Sequence, residues 1–411
     1  MRVISLSAAD PAVPERTPLA WVEIAKGLCI GLVVLMHATL GLEDALGERG
    51  YAHAIADFAQ PFRMPTFFAL SGLFLGRALA SDWRPFLERR VFHYLYFYTL
   101  WLLIQEVIRF PHLGGGTLAG TLSHVAWSYV EPFSTLWFLY ALALFALVTR
   151  LVEGVAAPVV LGVALGLAGS DVTTGWLILD VACDTYVFFY AGYRLAPQIR
   201  AFGGRMRARP ALAAAVTAGW LVVNAALIFT VVPALGHTMV AEAPLVAMPL
   251  GALGVFGVIA LATLLERSVA GPALAYAGYR SIVIYLAAFA PVAALRALMV
   301  RYGLPFDVGT ASLALTAAGI LLPLALERVL RGTPAACLFV RPSAALRAPA
   351  TILRRGRSLL DGAAAASAAS VASVAEAGTS VASALAAPPV HRGALVPAGT
   401  PLQLALRPRE S

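Results

Sequence analysis

Trp21-Val22-Glu23-Ile24-Ala25-Lys26-Gly27-Leu28-Cys29-Ile30-Gly31-Leu32-Val33-Val34-Leu35-Met36-His37 lies inside an apolar run, 20–42, that also contains three ionisable side chains. About twenty apolar residues are enough to cross a bilayer as a helix. An ionisable group in such a span costs a few kcal/mol or more, so it faces protein or a cavity and marks a pathway or reactive site. At ~100° per residue, the step from Lys26 to His37 closes to about three turns plus ~20°, which puts both on one stripe roughly 16 Å apart. Glu23, three residues before Lys26, falls on the same face within pairing reach. Lys26 is also the sole lysine of the 411 residues. That reflects an arginine-favouring composition more than a choice at this position.

The rest of the chain continues this theme. Hydrophobic residues make up 60% and charged residues 13%, a balance suited to lipid, where only helices or closed barrels satisfy their backbone groups. Runs of about twenty residues favour helices over the shorter strands of a barrel. The expected fold is all-α, a polytopic membrane bundle of about ten transmembrane helices. They fall near 20–42, 58–78, 90–110, 134–152, 156–170, 173–194, 211–232, 244–265, 272–299 and 308–330, with 156–170 the shortest.

Arginine and lysine gather in short cytoplasmic loops. With the N-terminus inside, ten spans place Arg77, Arg84, Arg89, Arg90, Arg150, Arg194, Arg200, Arg205, Arg207, Arg209 and Arg267 on the cytoplasmic side. The other side receives only Arg49, Arg63, Arg109 and Arg301, among Glu43, Asp44, Glu48, Asp57, Glu131, Asp171 and Glu242. Both termini are therefore expected to be cytoplasmic. The net charge of +8 is explained by this topology and by anionic lipid rather than by nucleic acid.

Three parts are expected: a cytoplasmic segment 1–19, a transmembrane domain 20–331, and a cytoplasmic tail 332–411 rich in Ala, Ser, Arg and Pro. The tail has too few large apolar residues for a core and is expected to be largely disordered. Cys29, Cys183 and Cys337 form no disulfide framework, and the seven histidines show no clustered metal-ligand spacing. No GxxxxGK[ST] loop or GxSxG elbow occurs, and Gly114–Gly116 reads as an external turn.

Under this topology the polar residues sort into two groups. Toward the cytoplasm lie Glu23, Lys26, Arg77, Arg89, Arg90, His93, Arg280 and Ser281. Arginines there are able to bind phosphates of a cytosolic ligand in bidentate fashion, although topology alone also puts arginines at inner span ends. Toward the outer half lie His37, Arg63, Glu106 and the i,i+4 pair Asp180 and Asp184. A histidine can relay a hydroxyl proton near neutral pH. For the two aspartates, pairing with Arg63 or lining a polar channel accounts for them at least as well as a part in catalysis.

Four stretches in order resemble the acyltransferase-3 family of bacterial membrane O-acyltransferases. Glu23, then Lys26-Gly27, then His37 after ten intervening residues resemble its opening. Phe62-Arg63-Met64-Pro65-Thr66-Phe67-Phe68-Ala69-Leu70-Ser71-Gly72 resembles its second-span signature, Leu136-Trp137-Phe138-Leu139 its fourth-span one, and Gly278-x-x-Ser281-x-x-x-Tyr285-Leu286 its late motif. The resemblance covers roughly 18–340. It implies transfer of an acyl group, commonly acetyl, from a cytoplasmic acyl-CoA to a hydroxyl of an envelope sugar or lipid-linked acceptor, with no permanently bound cofactor. His37 would be the essential histidine, Lys26 would replace an arginine and Glu23 an aspartate, a variant that resembles the fucose 4-O-acetylase-like branch. Where the family often has a histidine after the late Tyr-Leu, this chain has Ala287-Ala288-Phe289. A proton-coupled transporter or flippase of a glycan or lipid intermediate would use the same buried charges, and is the alternative.

Overall fold

The computed structural model describes residues 19–110, 117–132, 134–170, 172–230, 243–303 and 307–342. The segment 1–18, His112, Gly114–Gly116, Asp171, Glu242 and the tail 343–411 lie outside them. The chain divides into two units after Pro342, and every described residue belongs to the first.

The described residues contain helices and no strand. In chain order the α-helices of seven residues or more are α1 (Ala20–Leu46), α2 (Ala52–Gly72), α3 (Phe92–Arg109), α4 (Leu118–Trp127), α5 (Trp137–Leu151), α6 (Ala157–Ala168), α7 (Leu177–Arg194), α8 (Ala196–Ala208), α9 (Pro210–Ile228), α10 (Pro244–Leu265), α11 (Gly271–Tyr279), α12 (Ser281–Ala287), α13 (Phe289–Tyr302) and α14 (Val308–Leu330). Among the described residues six helical stretches are long and apolar enough to cross a membrane: Ala20–Leu46, Trp83–Arg109, Ser134–Leu151, Pro210–Ile228, Leu245–Leu265 and Val308–Leu330. A seventh is possible through the pair α12 and α13, bent by 45°. The runs expected near 58–78, 156–170 and 173–194 are helical as α2, α6 and α7. Of these, α6 has only 12 residues.

The run expected as one span over 272–299 is broken twice. Arg280 leaves helical geometry at φ −99°, ψ 16° between α11 and α12, and the 45° bend follows at Ala288. Hydropathy does not register such breaks, because the side chains on either side stay apolar.

Helix α1 is the hub and packs on α2, α10, α11, α13 and α14. Its buried face includes Trp21, Val22, Ala25, Cys29 and Ile30. It ends at Gly47, whose left-handed φ of 73° lets its N–H bond the Glu43 carbonyl at 2.8 Å. Two glycine crossings bring backbones together. A Cβ on Gly278 would stand 1.7 Å from the Glu23 carbonyl oxygen and one on Gly27 would stand 2.0 Å from that of Leu274, so α1 and α11 touch main chain to main chain. Gly72 and Gly192 do the same for α2 and α7, with Cβ positions 2.0 Å from Phe189 O and 2.1 Å from Ala69 O. In lipid, close packing through small residues is a main source of helix association.

Past Arg331, the expected end of the transmembrane domain, the described residues up to Pro342 keep contact with the helices. Tyr96 donates to the Cys337 carbonyl at 3.0 Å, Trp101 to that of Leu338 at 3.0 Å, and Arg341 to that of Glu88 at 2.9 Å. Phe339 is buried beside the Trp101 ring at 5.7 Å.

Candidate active site

Two chambers lie along α1, one at each end of its polar stripe. The larger, about 230 Å³, is lined by Lys26, Ser71, Arg90, Tyr94, Ser281 and Tyr285 together with apolar side chains such as Phe74 and Phe138. The smaller, about 50 Å³, is lined by His37, Thr135 and Tyr285 and by apolar residues of α1 and α13. Ile30, Val33 and Tyr285 border both, so they form the partition between Lys26 and His37.

Local structure explains how each polar group reaches its place. Lys26 pairs with Glu23 at 2.9 Å, both about a quarter exposed at 27% and 28%. The Gly27–Gly278 crossing presses α11 against this turn of α1 and so brings Ser281, the first residue of α12, to the same chamber. Arg90 sits in a π-helical turn, Leu87–Val91, preceding α3. The extra residue per turn re-aims side chains, which is why such turns recur at functional sites. Its Nη2 donates to the Phe74 carbonyl at 2.7 Å in an exposed hydrogen bond, so the large chamber reaches the surface there. Ser71 lines the chamber and returns its hydroxyl to the Phe67 carbonyl at 2.7 Å.

At the other end, His37 lines the small chamber and is itself exposed, so that chamber opens at the imidazole. Arg63 lies within electrostatic reach of it and donates to the Ala56 carbonyl at 3.0 Å. Tyr285 crosses the partition and donates to the carbonyl of Thr135. The turn containing Thr135 is held in a strained form, with Ser134 at φ 55°. Arg109 reaches the Ser134 hydroxyl at 3.5 Å and stacks over Phe289 at 5.1 Å.

Several residues expected in the site are used elsewhere. Arg280 pairs with the buried Glu327 at 3.1 Å, and Arg331 shares that carboxylate at 2.9 Å. Glu106 is buried and bonded to His124 at 2.7 Å. Asp180 accepts the Thr174 N–H and hydroxyl, each at 2.7 Å, and so fastens the turn before α7. Asp184, Arg77 and Arg89 are exposed, and none of them lines either chamber. His93 packs edge-on against Tyr94 at 5.6 Å and Phe97 at 5.2 Å. The aspartates form no ion pair with Arg63 among the described residues. Tyr285, Tyr94 and Phe138 were visible only as motif letters and aromatic spacing, and Thr135, Phe289 and Val292 carried no sequence signal.

These features define a helical, multi-pass membrane protein with a chambered site strung along one ionisable helix. The description "Acyltransferase domain" of the acyltransferase-3 family matches residues 19–328, three quarters of the chain and all of the chamber-lining residues. The chain belongs to that family. It is also similar to "Inner membrane protein YcfT" of Escherichia coli (strain K12), 25% identical over 181 residues, which cover 38% of this chain and 50% of the relative. The chain thus spans about half the length of the curated relative it matches. No solved structure matches.

Proposed function

We propose that the protein is an inner-membrane O-acyltransferase that moves an acetyl group from cytoplasmic acetyl-CoA to a hydroxyl of an envelope glycan or lipid-linked acceptor. The observation that carries this reading is the pair of chambers meeting at Tyr285, with a cation-bearing surface opening at Lys26 and Arg90 and an exposed imidazole at the far end. The family membership supports the acyl transfer, and the relative's name supports the inner membrane. The basic asymmetry of the loops supports ten spans with both termini cytoplasmic, an arrangement that puts Lys26 on the donor side.

The donor's phosphates meet Lys26 and Arg90, and its thioester arm runs along α1 toward His37, which requires the Tyr285 side of the partition to move aside. The acceptor enters at the exposed imidazole. Its oxygen adds to the thioester carbonyl carbon while His37 takes the hydroxyl proton. Collapse of the tetrahedral adduct breaks the carbon–sulfur bond, and the proton passes to the departing thiolate, giving ester and free thiol. Glu23 fixes Lys26, and Arg63 adds positive potential beside the reacting end, where charge develops on oxygen.

The test is transfer of radiolabelled acetyl from acetyl-CoA by the purified protein in lipid, with envelope extract as acceptor, beside His37→Ala and Lys26→Ala. Label transfer abolished by His37→Ala and weakened by Lys26→Ala is expected. Transfer at the original rate in well-folded His37→Ala removes the base. Substrate movement driven by a proton gradient without donor consumption replaces the reading by the transporter.

A further inference from the structure

The small chamber beside His37 has walls on α1, α12 and α13 and a stop behind them on α14. Val34 and Val292 line it, Ala288 closes the corner between them, and Phe289 completes the apolar side. Behind the two valines stands Gly319. A Cβ there would meet Val292 Cγ2 at 2.7 Å and Val34 Cγ1 at 2.8 Å, with the Ala288 methyl at 3.8 Å. The valines therefore rest directly on the backbone of α14 and have nowhere to retreat. Interiors at crystal-like density do not yield a methylene's worth of space without cost.

Size sets what fits. The chamber holds about 50 Å³, and at roughly 10–15 Å³ for each water-sized occupant it takes about three to five non-hydrogen atoms, the upper figure only where every atom packs at the smaller volume. An acetyl group has three. The wall facing away from His37 and Thr135 offers only carbon, which suits a methyl end and gives no partner to a charged or hydroxylated chain.

We propose that Val34, Val292 and Ala288, buttressed by Gly319, form an acyl-length stop that restricts the transferred group to acetyl or its next homologue. The inference rests on the acyltransfer reading. One methylene too many in a rigid apolar site is worth roughly 10–200-fold in discrimination, so butyryl transfer is expected at least that far below acetyl transfer.

The experiment compares acetyl-, propionyl-, butyryl- and hexanoyl-CoA as donors to envelope extract, using full-length protein in lipid. Val292→Ala and Val34→Ala open the wall and are expected to raise the butyryl-to-acetyl ratio about tenfold. Gly319→Ala, which touches no substrate, pushes both valines inward and is expected to lower propionyl transfer more than acetyl transfer. Ala288→Val narrows the chamber from the other side and is expected to act in the same direction. Wild-type transfer whose chain-length profile is unmoved by all four substitutions overturns the stop and leaves the acyltransferase standing. A wild type that consumes none of the four thioesters overturns the acyltransferase and the stop with it.

Discussion

The two chambers share a wall yet differ in every other respect. The Lys26 chamber is about 230 Å³, reaches the surface beside Arg90 and mixes cations and hydroxyls with aromatic rings. The His37 chamber is about 50 Å³ and, apart from His37, Thr135 and Tyr285, is made of carbon. One suits a large, charged, flexible ligand part and the other a small reacting end. On the proposed function, the contrast gives the stripe of α1 two tasks: binding at one end and chemistry at the other.

That division is broken or sharpened first by kinetics. His37→Ala is expected to lower kcat by about 10²–10⁴-fold, the usual contribution of a positioned general base, with little change in KM for the donor. Lys26→Ala is expected to raise the donor KM chiefly, because a phosphate contact made equally in ground and transition states is uniform binding. Steady-state rates over a range of acetyl-CoA concentrations decide it. If both substitutions act on kcat alone, the chambers do not divide the work.

A smaller effect separates Arg280 from the large chamber. The sequence put Arg280 with the donor, since it stands beside Ser281 in the late motif, but its guanidinium is committed to Glu327. Glu327→Ala leaves Arg280 and Arg331 without their shared carboxylate and is expected to cost about 3–5 kcal/mol of stability, as for a broken buried pair. The thermal midpoint in detergent should fall while the donor KM of the surviving protein stays unchanged. A raised KM at unchanged stability would return Arg280 to the donor.

Arg280 illustrates what the chain made legible and what it hid. Lys26, Glu23 and His37 were readable because helical periodicity alone puts them on one stripe. Arg90 and Ser281 were readable as polar groups at span ends. The partner of Arg280 lies 47 residues away on another helix, and no local pattern announces such a pairing. Likewise the α13 wall of the small chamber depends on the 45° bend at Ala288, which turns Phe289 and Val292 toward His37. A hydropathy plot sees one apolar run there. The motif glycines, by contrast, were legible only as letters, and their role became physical when Gly278 was found against the Glu23 carbonyl.

That crossing gives the next prediction. Gly278→Ala is expected to cost about 1–3 kcal/mol by overpacking, and because α11 carries the chain into Ser281, it should disturb the Lys26 chamber more than the His37 chamber. Gly204→Ala, where a Cβ meets nothing within 4 Å, is the clash-free comparison and is expected to keep or slightly raise stability, since alanine suits a helix interior better than glycine. Melting curves of the two variants, together with donor KM, measure both halves of the expectation.

The smallest effect is expected at Asp184. The sequence grouped it with Asp180 on one helix face as acceptor-side carboxylates, and a transporter would need such a pair as part of a proton path. In the fold, Asp180 is spent on Thr174 and Asp184 is exposed away from both chambers. An exposed carboxylate with no chemistry to perform contributes within about 0.5 kcal/mol. Asp184→Asn should therefore leave acetyl transfer within about twofold of the wild type, the rate factor to which 0.5 kcal/mol corresponds. A large loss of transfer would extend the reacting region beyond the His37 chamber to α7. Loss of gradient-driven substrate movement instead would show that the two chambers serve transport.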